Sequence, residues 1–193
     1  RLALAPDLSA ESRDTARRIG GERVMTRFGY VMSTYFSVLA ISGLAFVHVS
    51  PKLIWNASAS APIGLYAIVS DDDLSVGDLV VVDPPNSLAI YLDERGYLPE
   101  GVPLLKHIAA LPGQHICRDG AVVTVDDISV AQAQPSDRFG RDLPVWQGCH
   151  IVAETELFLL NPSHPESLDG RYFGALPADA VIGRAVPILT DED

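Results

Sequence analysis

The chain has 193 residues, 48% of them apolar, which suffices for one domain with a real core and is too apolar for a disordered segment. The net charge of −11 is unevenly spread: residues 1–27 hold six arginines against four acids, and residues 28–193 hold eight basic residues against 21 acids. An acidic body of this kind repels phosphate backbones, so the reading is of no nucleic-acid partner.

The chain opens on Arg1 instead of Met, as expected of a processed or truncated start. From Phe28 to Pro51 no residue is charged, and "YVMSTYFSVLAISGLAFVHV" (Tyr30–Val49) is apolar with a few small hydroxyls. Some 20 helical residues at about 1.5 Å each span a ~30 Å hydrocarbon layer, and Ser and Thr in such a helix can bond back to their own backbone. Arg17, Arg18, Arg23 and Arg27 precede the run while only Lys52 follows closely, which places residues 1–27 in the cytoplasm and the acidic body outside. The expected organisation is a basic cytoplasmic tail (1–27), a transmembrane anchor (28–51) and an extracytoplasmic domain (52–193). A buried helix competes with the anchor, as does a cleavable signal peptide cut at "ASA" (Ala59–Ala61), but the run is long for either.

Beyond Trp55 the pattern is mainly β. "GLYAIV" (Gly64–Val69) and "DLVVVD" (Asp78–Asp83) read as strands around a polar turn. "NSLAIYLDERGYL" (Asn86–Leu98) has helical spacing, a cap-like Asn86 and a stop at Gly96. "PLLKHIAAL" (Pro103–Leu111) reads as a buried strand. Short strands follow at Val122–Val125, Ile128–Ala131, Ile151–Ala153 and Leu157–Leu160, with "QPSDRFGRD" (Gln134–Asp142) a loop and "AVIGRAVPIL" (Ala180–Leu189) a last strand. The histidines and the two cysteines match no ligand spacing, so no metal and no other cofactor is expected. Cys117 and Cys149 read either as one disulfide, in an oxidising compartment, or as two buried thiols.

Two local features point to chemistry. In "WNASASAPIGLY" (Trp55–Tyr66), Ser58 and Ser60 stand two apart, so in an extended segment both face one side. Such a pair can supply a nucleophile and a hydroxyl that donates to the oxyanion it creates. The plain alternatives are an Ala/Ser linker, the N-x-S sequon Asn56-Ala57-Ser58, or the cleavage site above. In "LLKHIAALPG", Lys106 lies among leucines, isoleucine and alanines on the face of Leu104 and Ile108. Burial of its amine lowers its pKa and fits it to take a proton from serine. Alternatively it snorkels to solvent. His107 points the other way and reads as structural.

"SAS" before a proline, "VGDLVVV", "LLKHIAALPGQHI" and "ESLDGRYFG", in that order after an apolar anchor, resemble the serine–lysine signal peptidases. "NASASAPIGLY", the inserted "ERGYLPEG" ahead of "PLLKHIAALPG", and "RYFGALPADAVIGRAVPIL" are similar to the conjugative-transfer branch, the TraF type, over about Lys52 to Leu189. The resemblance implies a signal-peptidase-like domain of coiled antiparallel sheets behind one N-terminal transmembrane helix. It implies Ser60 as nucleophile, Lys106 as general base, Ser58 as oxyanion donor, Ser167 as the hydroxyl that holds the lysine amine, and Asp169 with Arg171 as a bracing ion pair. In conjugative relatives that acid is treated as part of the catalytic centre. Two departures stand out: Ala61 replaces the Met after the nucleophile, and Gly170 replaces the Ser before the final Arg. The implied enzyme is an inner-membrane endopeptidase facing the periplasm that processes a propilin or other preprotein, beside type IV secretion components, with pilin cyclisation in some members. The alternatives are a general type I signal peptidase and a catalytically inactive assembly factor. Taken alone, Ser167 and Asp169 read as a loop hydroxyl and a turn acid, and Arg171 as a surface partner.

Overall fold

The structure is a computed structural model that describes residues 26–44, 52–70 and 73–191. The chain divides into two units at Ser50/Pro51. In the first, helix α1 (Arg27–Leu44) runs for 18 residues. Ser33 and Thr34 both donate to the Tyr30 carbonyl, so their hydroxyls are satisfied within the helix. Among the described residues no helix is long and apolar enough to cross a membrane. At 1.5 Å per residue α1 is about 27 Å long, and the rest of the expected anchor (45–51) and most of the expected tail lie outside the described residues.

The second unit is mainly β, as expected. Its strands are β1 (Leu53–Asn56), β2 (Gly64–Val69), β3 (Leu79–Val82), β4 (Leu104–Ala110), β5 (His115–Asp119), β6 (Val122–Val125), β7 (Ile128–Gln132), β8 (Gly148–Ile151), β9 (Glu156–Leu160), β10 (Leu176–Pro177) and β11 (Val181–Thr190). They form a seven-stranded sheet of order β1-β2-β11-β3-β4-β9-β10 and a four-stranded sheet of order β7-β6-β5-β8. Every pairing is antiparallel.

The apolar runs explain the layering. Val80, Val81 and Val82 on β3 and Phe158, Leu159 and Leu160 on β9 are buried on both faces, so these strands are central. One face packs Val81 and Leu105 against Ala61, Tyr66, Ile68 and Ala185. The other packs Val80, Val82 and Ile108 against Leu157 and Leu159. The small sheet brings Ile116, Val123 and Val125 onto Phe158 and Leu160. Gly64 lets β11 approach β2, because a Cβ there would lie 2.1 Å from the Leu189 carbonyl oxygen.

The structure differs from the sequence reading in several places. Helix α2 spans Asn86–Glu94 and stops short of Leu98. Its N-cap is Pro85, whose carbonyl accepts from the Leu88 and Ala89 amides, so Asn86 is the first helical residue and not the cap. The eighth strand is Gly148–Ile151, upstream of the expected Ile151–Ala153, because the Cys117–Cys149 disulfide joins directly opposed residues of β5 and β8. The strands β1, β5 and β10 and the short helix α3 (Gly170–Phe173) were not foreseen.

Candidate active site

The loop between β1 and β2 carries both serines, and its ends are fixed by the register pair Asn56 and Gly64. Within it, Ser58 Oγ lies 2.8 Å from Ser60 Oγ and accepts the Ser60 backbone N–H at 3.3 Å. The two groups suited to hold an oxyanion are therefore engaged with each other: the Ser58 hydroxyl and the Ser60 amide. Asn56, read from sequence as part of a sequon, is buried, with its amide turned into this loop. In the folded chain that nitrogen is spent on carbonyls of its own loop.

Lys106 stands on β4 opposite Val80 on β3. Its side chain is buried, at 4% exposure. The amine donates to Ser167 Oγ at 2.8 Å. Desolvation pushes the amine from its ordinary 10.5 down to about 8; the charge on Asp169 pulls it up and that on Arg171 pushes it down, both by less. Snorkelling is thereby replaced by true burial. No Ser60–Lys106 hydrogen bond joins the two, each being bonded to its own serine partner, but Ser58, Ser60, Lys106 and Ser167 all line one cavity of about 660 Å³.

Asp169 and Arg171 sit behind that cavity and do not line it. They form a bidentate ion pair at 2.7 and 2.9 Å, with exposures of 4% and 1%. Further bonds surround the pair: Asp169 accepts the amides of Asn161 and Arg171, and Arg171 donates to the carbonyls of Asn161, His164 and Pro165. Burial alone would lower the Arg171 pKa, but the hydrogen bond and charge of Asp169 outweigh it and raise it. The pair thus folds residues 161–171 into a rigid bend that presents Ser167. Asn161 extends it to β4, donating to the Leu105 carbonyl, while its Oδ1 meets His107 Nδ1 at 3.1 Å. His107 is accordingly structural. Gly170 is explained by space: a Cβ there would meet the Leu159 carbonyl oxygen at 2.8 Å and the Phe158 ring at 2.6 Å.

The far wall of the cavity comes from the insertion that the sequence singled out. Tyr97, beyond α2, donates its hydroxyl to Asp137 in the Gln134–Asp142 loop, and Arg141 bonds the same carboxylate at 2.7 Å. Burial pushes the Asp137 carboxyl up, but these bonds and the backbone amides of Arg141 and Phe139 hold it well below the usual carboxylate range.

Arg118 and Trp146 hold this bend from outside the cavity and, like Asn161, were not anticipated. Arg118 on β5 is buried without a carboxylate partner and donates to the carbonyls of Gly120, Pro144 and Arg171. Trp146 Nε1 donates to the Gly170 carbonyl at 2.9 Å. An arginine next to a cysteine and a tryptophan in a loop carry no sequence signal for these roles.

If Ser58 supplies an oxyanion donor, Ser58→Ala is expected to lower kcat on a precursor by about 10²–10³-fold while KM changes little. Steady-state kinetics on the purified chain check this, and an unchanged kcat removes Ser58 from the site.

Comparison with known proteins gives the family of the chain. The signal peptidase family, peptidase S26, matches residues 25–190. A probable conjugal transfer protein TraF from Sinorhizobium fredii (strain NBRC 101917 / NGR234) is 35% identical over 143 residues, covering 70% of this chain and 76% of that protein. A conjugal transfer protein TraF from Agrobacterium fabrum (strain C58 / ATCC 33970) is 34% identical over 146 residues, covering 70% and 81% respectively. A signal peptidase I crystal structure from Enterococcus faecalis V583 aligns with 60% of this chain and 98% of its own, at 19% identity and a TM-score of 0.38. On the sequence matches, the chain belongs to the peptidase S26 signal peptidases and is of the TraF type.

Proposed function

We propose that this chain is a membrane-anchored serine endopeptidase with a Ser60–Lys106 dyad that processes a propilin or another signal-bearing precursor in conjugative transfer. The observation that carries the reading is the buried Lys106 amine, tied to Ser167 and sharing a cavity with Ser60. A lysine with a pKa of about 8 has a sizeable neutral fraction near working pH.

The chemistry follows from the two serine partnerships. When a peptide enters, Ser60 Oγ leaves Ser58 and turns to the Lys106 amine, whose N–H to Ser167 fixes the direction of its lone pair. Lys106 takes the Ser60 proton as Oγ attacks the scissile carbonyl. The same movement frees the Ser58 hydroxyl to donate to the oxyanion, and the Ser60 N–H joins it once Ser58 Oγ turns away from that amide. The C–N bond then breaks, protonated Lys106 gives its proton to the leaving amine, and water hydrolyses the Ser60 ester. A cavity of about 660 Å³ lies within the ~300–1,000 Å³ of ligand sites.

The Cys117–Cys149 disulfide supports a periplasmic location for residues 52–193, since such bonds persist outside the reducing cytoplasm. An inner-membrane anchor over 28–51 completes this reading. The relatives' role in conjugal transfer supports the propilin as substrate and mating-pair components as neighbours.

The test is labelling of the full chain by a serine-directed acylating probe. Label on the wild type that disappears in Ser60→Ala supports the enzyme. An unlabelled wild type that still binds its secretion partner supports the inactive assembly factor instead. Processing of a propilin against a generic secretory precursor separates the conjugative peptidase from a general signal peptidase.

A further inference from the structure

We infer that Asn56 is a positioning residue for catalysis, whose side-chain amide sets the path of the nucleophile loop and thereby aims the Ser60 N–H and Oγ. This rests on the reading of Ser60 as nucleophile given above.

The loop from Ala57 to Ile63 joins two paired strands and bears both serines, yet it belongs to no element that would fix its backbone. Its polar groups need partners, and one side chain provides them. Asn56 Nδ2 donates to the carbonyls of Ser58 at 2.9 Å, Ala61 at 3.0 Å and Pro62 at 2.9 Å. Asn56 Oδ1 accepts the Ser58 N–H at 3.0 Å. Two amide hydrogens serve three carbonyls, so at least one is shared and the donor capacity is full. The orientation is forced as well, because a flipped amide would set Oδ1 against three carbonyl oxygens.

The anchored carbonyls bracket the reacting residue. Ser58 lies before Ser60, and Ala61 and Pro62 lie after it. The peptide unit carrying the Ser60 N–H is therefore held from both sides by a single group, 7% exposed, at the end of β1. Tyr66 adds a bond from its hydroxyl to the Pro62 carbonyl at 2.7 Å. Asn56 is not among the cavity-lining residues, so it acts through Ser60 and not on a substrate. No other side chain fits these four bonds: Asp lacks the donors, Ser is too short, and Gln is one methylene too long for the pocket.

An error of about 1 Å in the reacting groups costs on the order of 10²-fold in rate. Asn56→Asp keeps the size and the acceptor for the Ser58 N–H but loses the three donors; Asn56→Ala loses all four bonds. Acylation of the full-length protein by a small activated ester, followed across pH, isolates the serine step from precursor binding. Wild type that acylates and Ser60→Ala that does not establish the nucleophile first. Failure at that stage counts against the proposed function and not against Asn56. With it established, both Asn56 variants are expected to acylate about 10²-fold more slowly per folded molecule. Their KM for precursor should stay within about threefold, and the pH limb near 8 should not move, because Lys106 sets it. An acylation rate within about threefold of wild type, or a loss confined to KM, overturns the inference. Should neither variant fold, hydrogen exchange of the Asn56 side-chain amide in wild type decides. Exchange about 10²-fold slower than an exposed asparagine is expected, and exchange at the exposed rate overturns it.

Discussion

Replacement of Lys106 by methionine is expected to lower precursor processing by about 10²–10⁴-fold, the usual contribution of a general base, while making the protein more stable. Both effects come from the same burial. The drop of the amine from 10.5 to about 8 corresponds to roughly 3 kcal/mol that the folded state loses by enclosing a charge. Methionine fills a similar volume without that charge, at the cost of the bond to Ser167, so a net gain of about 1–3 kcal/mol at pH 7 is expected. The pH dependence has a definite sign. Below about pH 8 the amine is protonated in both folded and unfolded chains, and the wild type carries the full penalty. Between about 8 and 10.5 the unfolded chain binds more protons, so wild-type stability rises relative to the variant. Above 10.5 the advantage of the variant has gone. Denaturant unfolding of both proteins from pH 6 to 11 measures this difference, and cleavage of a precursor measures the activity. A variant that is less stable at pH 7, or a difference that does not narrow above pH 8, removes the buried amine from the account. In the wild type, kcat/KM is expected to climb with pH through about 8 as the amine loses its proton.

The second large effect concerns the ion pair behind the cavity. Asp169→Ala leaves the Arg171 guanidinium enclosed at 1% exposure with carbonyls as its only company. Removal of one partner of a buried pair typically costs about 3–5 kcal/mol. Asp169→Ala and Arg171→Met should both destabilise by amounts in that range, read by chemical denaturation. Where folded protein remains, the activity profile discriminates further. Asp169 raises the Lys106 pKa and Arg171 lowers it, so the rising limb should move to lower pH in Asp169→Ala and to higher pH in Arg171→Met. Limbs that stay in place in both variants would mean that neither charge reaches the amine.

These residues differ in how readable they were from the chain. Lys106 was legible because a charge inside an apolar run has few explanations. The serine pair was legible because a spacing of two has a geometric meaning in extended backbone. The strand Gly64–Val69 was read at its true bounds, since an apolar run there is closed by turn residues. Strands β5 and β8 hid for the opposite reason. All four residues of β8 are exposed, and the two buried positions of β5 are Ile116 and the charged Arg118, so hydropathy carries no signal for either. Asn56 hid behind a motif of the wrong kind, a sequon whose amide in fact points inward. Asp169 and Arg171 are a turn acid and a surface arginine to any local reading. What makes them a buried pair is the return of the bend from Asn161 over β9, a tertiary event that only the resemblance anticipated.

The grip of Arg118 and Trp146 on the Gly170 and Arg171 carbonyls bears on any attempt to miniaturise the protein. No strand of the four-stranded sheet lines the cavity, yet the connection between β7 and β8 does, through Gln134, Ser136 and Asp137. Pruning the sheet would take that wall away and strip two clasps from the bend on which the lysine's companion serine hangs, so a trimmed catalyst would have to replace all three before it could be expected to cut.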